Sequence, residues 1–185
     1  MSYCTYIASD FPLEPIKNPH DLTLSVNEAL AMGITDVPER YLETGFDRDE
    51  PDVILYSDRD IEFNTDTGEV KDGDFEDDFA LYPAEGLSDI YTEKKYAVYL
   101  EWCRYTEGRA KKIIEYIKEN LKHTDEVEIW HIWMGGYETR NVHTKQIKVD
   151  ELTPEMIREI DNREIKIETM EGYELADQYR YVITR

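Results

Sequence analysis

A dense run of carboxylates, four histidines and two cysteines are the residues of this 185-residue chain with the types and spacing to do chemistry. The carboxylates come first because they are packed most closely. Asp72, Asp74, Glu76, Asp77 and Asp78 supply the oxygens that a hard cation requires. Upstream, Asn64, Asp66 and Gly68 resemble the opening of a calcium loop. The spacing then fails, because glycine falls at the fifth loop position and Phe75 stands where the twelfth-position Glu belongs. No metal site and no cofactor are expected from this segment; a solvated, self-repelling loop is the plain reading.

The same segment also fits protein recognition. Tyr41, Phe46, Tyr56, Phe63, Phe75, Phe79, Tyr82 and Tyr91 are interleaved with the acids. Rings supply buried anchor area, and carboxylates steer and pair with Lys or Arg on a basic surface. The binding residues expected on this reading are Asp66, Asp72, Asp74, Phe75, Glu76, Asp77, Asp78, Phe79 and Tyr82.

The histidines, His20, His123, His131 and His143, show no HxH or HxxxH spacing. His131 and His143 fall on predicted strands either side of Gly135-Gly136, and Cys103 ends another strand. If those strands were neighbours, the three could form a zinc site or a thiol–imidazole pair. The ordinary alternative is a strand histidine held by a hydrogen bond and two small buried thiols. No GxSxG elbow and no Gly-rich phosphate loop occurs, and Cys4 lies behind Met1-Ser2-Tyr3. Trp130-His131-Ile132-Trp133 could stack bases, but no cluster of Lys and Arg accompanies it.

Charge narrows the partners. The net charge is −21, from 42 acids and 21 bases. Residues 36–93 hold twenty of the acids and only four bases, whereas 94–185 carry eighteen and sixteen. A duplex-binding face is excluded by the lack of a basic patch, and a basic protein surface is the natural partner. No run of ~18 apolar residues occurs, so no membrane span is expected. The first residues have neither a basic nor an apolar leader segment, and two cysteines without a CxxC partner suit a reducing compartment. The expected address is the cytoplasm; oligomeric state is left open.

The elements that must position these residues read as a single α+β domain over 1–185, with 36–93 as an acidic, loop-rich segment within it. Residues 3–8 form a strand and Asp21–Met32 a helix closed by Gly33. Val53–Tyr56 is a short strand, and Asp60–Phe63 with Glu69–Lys71 flank a hairpin turn in which Gly68 can take positive φ. Phe79–Tyr82 is another short strand, and Lys95–Arg104 is a strand apolar on both faces. Thr106 caps a helix whose Ala110, Ile113, Ile114, Ile117 and Leu121 make one stripe. Val127–Met134 and Thr144–Val149 are strands, Pro154 opens a short helix, and 164–169 and 179–184 are strands. From 95 onward the order is β-α-β-β-α-β-β, whose first six elements match a ferredoxin-like antiparallel sheet with helices on one face. The function expected is non-enzymatic binding of a basic protein through the acidic face, as an immunity-like inhibitor would bind. The competing expectation is a small metal-assisted or thiol enzyme using Cys103, His131 and His143.

Overall fold

Tyr6, Ile7 and Ala8 are each at most 1% exposed, so the N-terminal strand has apolar side chains buried on both faces and belongs at the centre of a sheet. The computed structural model describes residues 3–57, 62–67, 70–71, 73, 75–84, 91–134, 138–170 and 173–185. In chain order the elements are β1 (Tyr3–Ser9), β2 (Asp21–Leu24), α1 (Val26–Ala31), β3 (Ile54–Ser57), β4 (Glu62–Phe63), β5 (Val70–Lys71), β6 (Ala80–Pro83) and β7 (Tyr96–Glu101). They continue with α2 (Glu107–Asn120), β8 (Glu126–Trp133), β9 (Glu138–Lys148), α3 (Pro154–Asp161), β10 (Ile167–Met170) and β11 (Tyr173–Thr184). Two compact units result: residues 1–17 with 74–185, and residues 18–73. The acidic stretch 36–93 is therefore divided between them.

The larger unit is a mixed α+β layer built on a seven-stranded, mostly antiparallel sheet. β1 pairs antiparallel with β7 on one edge and β8 on the other, so β7, α2 and β8 form a split β-α-β unit around β1. The ferredoxin-like order would fill that slot with the strand following β8. β9 is too polar for it: from Thr139 to Lys148 only Ile147 is buried. β9 instead runs parallel to β11 along one edge, while β8 and β10 share the other edge end to end. β6 closes the far side against β7.

The helices form where the sequence places their signals. Thr106 caps α2 by accepting from Arg109 N–H, and Thr153 caps α3 with Pro154 in its first turn. The α2 stripe of Ala110, Ile113, Ile114, Ile117 and Leu121 packs with Ile157 and Ile160 of α3 onto Ile7, Val98, Ile129 and Ile183 of the sheet. The opposite face carries a smaller cluster of Tyr6, Ala8, Trp130 and Ile132.

The smaller unit has a core of Val26, Ala29, Val37 and Ile54. Its helix starts later than the sequence predicts. Asp21–Leu24 is a strand paired with β3, and Ser25 caps α1 through a reciprocal bond with Glu28. Gly33, at φ +80, ends α1 in a Schellman turn, in which Ile34 N–H reaches Ala29 C=O and Gly33 N–H reaches Leu30 C=O. β4 and β5 pair as the expected hairpin; Gly68 lies outside the described residues. No helix among the described residues is long and apolar enough to cross a membrane.

Candidate functional site

The acidic run that drew attention in the sequence is not one surface. Asp78 is fully buried, and its Oδ2 lies 2.9 Å from Arg109 Nη2, which is also buried. Arg109 further donates from Nε to Phe75 C=O and from Nη1 to Arg104 C=O, each at 3.0 Å. A carboxylate and guanidinium removed from water together hold the loop onto the first turn of α2. Asp78 is thus an internal counter-ion and not part of a docking face. Phe79 is a core side chain, and Tyr82 is half-buried against the Tyr99 ring. Phe75, Glu76 and Asp77 are exposed, with Glu76 lying over Gly108, where an added Cβ would meet it at 2.5 Å. Asp66 is exposed in a turn of the smaller unit, where Asn64 Oδ1 accepts from the N–H groups of Asp66 and Thr67. Asp72 and Asp74 lie outside the described residues.

The exposed acids of the smaller unit lie mainly upstream of that set. Asp36, Glu39, Glu43, Asp47, Asp49, Glu50 and Asp52 are all exposed, and none pairs with a cation among the described residues. Nearby arginines are engaged with neutral groups: Arg40 covers the Tyr41 ring at 4.5 Å and Arg48 donates to Leu42 C=O. The same unit exposes apolar side chains, with Leu55 75% and Met32 54% accessible.

The proposed Cys103–His131–His143 constellation does not assemble. β11 separates β8 from β9, and Tyr179 stands opposite both His131 and His143 in register. His143 stacks on Tyr179 and its Nε2 lies 3.2 Å from Asp177 Oδ2, a half-exposed contact. Cys103 is exposed, beyond the end of β7. Among the described residues no group of three His, Cys, Asp or Glu side chains is placed to hold a metal.

No family model matches the chain, and no curated protein or solved structure is significantly similar to it.

His131 instead joins a network that the sequence alone did not reveal. It pairs with Thr5 across β1 and β8, and Thr5 Oγ1 lies 2.9 Å from His131 Nδ1. The same hydroxyl donates to Asp161 Oδ1 at 2.9 Å, and Trp102 Nε1–H donates to Asp161 Oδ2 at 3.1 Å. Thr5 has one proton, so giving it to Asp161 leaves His131 Nδ1 to donate in turn. Burial pushes the imidazole below its ordinary range, against the raising effects of Asp161 and the Arg163 backbone. A signal for this cluster was present: Asp161 ends α3, where the helix dipole disfavours an anion and a compensating donor is needed.

Beside the network is a cleft of about 350 Å³. It forms because β1 and β7 part company: their register ends at Tyr6–Tyr99, while β1 continues back to Tyr3 and β7 on to Glu101. Tyr3, Tyr99 and Trp102 line it, with Glu101 and Asp161 as its carboxylates. Cys4 also faces it, with its thiol pushed up to about 11, first by burial and then by the charge of Asp161. A thiol so raised stays protonated at neutral pH and makes a poor nucleophile.

Proposed function

We propose that this chain binds a basic protein partner, with residues 18–73 supplying the contact surface. The observation that carries this reading is the set of seven exposed carboxylates between Asp36 and Asp52 with no cation paired to them among the described residues. Like charges held close on a small fold oppose its compactness, and an external cation relieves that repulsion. Exposed Leu55 and Met32 add the apolar area that a charged rim alone lacks. An immunity-like inhibitor of a basic toxin or nuclease is the kind of protein this surface suits. A cytoplasmic setting fits it too, since no disulfide joins Cys4 to Cys103.

The test is capture from lysate on the immobilised chain at about 50 mM and about 500 mM salt, with Leu55→Ser run beside the wild type. One basic protein should be retained at low salt, released at high salt and weakened by Leu55→Ser. Retention that ignores both salt and Leu55, or no retention of a basic protein, contradicts the reading.

A further inference from the structure

We propose that the cleft between β1 and β7 is a binding site for an organic cation, an ammonium or guanidinium head on a short apolar stem. It lies wholly within the larger unit and does not depend on the acidic surface of the smaller one.

Three features of the cleft select this chemistry. Its walls include the aromatic side chains Tyr3, Tyr99 and Trp102, and a ring quadrupole attracts a cation. Its two carboxylates sit at different depths: Glu101 is exposed at the end of β7, and Asp161 is half-buried beneath Thr5 and Trp102. Among the described residues no Lys or Arg side chain lines it. Burial first and then the Asp161 charge raise Cys4, and burial first and then the Glu101 charge raise Tyr99. An anion would meet two carboxylates, and a neutral apolar ligand would bring neither of them a counter-charge. The volume of about 350 Å³ is at the small end of ligand sites and fits one cationic head with its stem.

The same head group could arrive as a free small molecule or as a Lys or Arg side chain of a protein, and the probes separate these. The Trp102 indole N–H, which donates to Asp161, is the reporter, assigned with Trp102→Phe and followed by NMR in the full chain. Choline is titrated beside 3,3-dimethylbutan-1-ol, its uncharged carbon isostere, and then beside the blocked amides of Nα-acetyl-lysine and Nα-acetyl-arginine. Choline should shift the indole signal at concentrations about tenfold lower than the alcohol. Glu101→Gln, an exposed substitution outside the core, should weaken choline about threefold. Blocked amino acids that bind as well as choline assign the cleft to a protein side chain; their exclusion assigns it to a free cation. Equal binding of alcohol and choline, or no shift by any cation, overturns the proposal. Neutralising Asp47, Asp49, Glu50 and Asp52 should leave choline binding unchanged, so failure here is separable from failure of the acidic surface.

Discussion

The two units treat charge in opposite ways. In the larger unit many carboxylates have cationic partners, though Glu101 and Asp161 of the cleft do not among the described residues: Asp78 pairs with Arg109, Glu128 with Arg180, Glu126 and Asp10 with Lys94, Glu168 with Arg140, and Glu159 with Arg163. On α2, Lys111 and Lys112 answer Glu107 and Glu115. In the smaller unit, with fifteen acids and four bases between residues 18 and 73, the seven acids from Asp36 to Asp52 have none among the described residues. Charge in the first unit is part of how the fold holds together; in the second it is left facing outward. The same residue type thus does two jobs, and burial and pairing tell them apart.

The largest effect should come from breaking the internal kind. Asp78→Ala takes one partner out of the buried pair with Arg109, and breaking such a pair from one side costs about 3–5 kcal/mol. Urea unfolding followed by tryptophan fluorescence measures it; a loss under about 1 kcal/mol would mean that the pair contributes no more than a surface contact. Glu128→Gln comes next. Glu128 is 5% exposed and accepts from Thr92 Oγ1 and Trp130 Nε1 at 2.6 and 2.7 Å. Removing its charge should cost about 1–3 kcal/mol in the same assay.

A smaller effect should follow pH. Burial depresses His131 below its ordinary value of 6.5, so the unfolded chain takes up a proton that the folded chain resists. The stability this gives is present above about pH 6.5 and is lost as pH falls through the depressed value. The urea midpoint should drop between about pH 7 and about pH 5, and His131→Gln should flatten the drop. An unchanged slope in His131→Gln would assign the pH dependence to other groups. Smallest of all should be neutralising Asp47, Asp49, Glu50 and Asp52 together. No ion pair among the described residues is lost, so the urea midpoint should stay level or rise; a fall would show that these acids support the fold.

Period and capping made much of the fold legible. The α2 stripe, Thr106, Thr153-Pro154 and the alternation of Val127–Trp133 all correspond to described elements and faces. Strand order was not legible, because pairing is decided by competition for the central slot. β1 won it with Tyr6, Ile7 and Ala8, and the polar β9 was left at an edge. The helix start at Asp21 was misread because Leu22 and Leu24 suit either period, whereas Ser25 with Glu28 makes the better cap. Of the site, the sequence pointed to the carboxylates without separating buried Asp78 from exposed Asp47. Thr5, Trp102 and Asp161 come together only through long-range pairing, which spacing along the chain does not encode.

The most direct test compares two variants of equal net charge. One replaces Asp47, Asp49, Glu50 and Asp52 by their amides; the other does the same at Glu107, Glu115, Glu119 and Glu155, which already pair within the larger unit. Each is compared with the wild type for capture of a basic protein from lysate. Loss of capture with the first variant and retention with the second is the predicted result. Equal loss in both would show that overall charge alone, and not the acids of residues 18–73, governs capture.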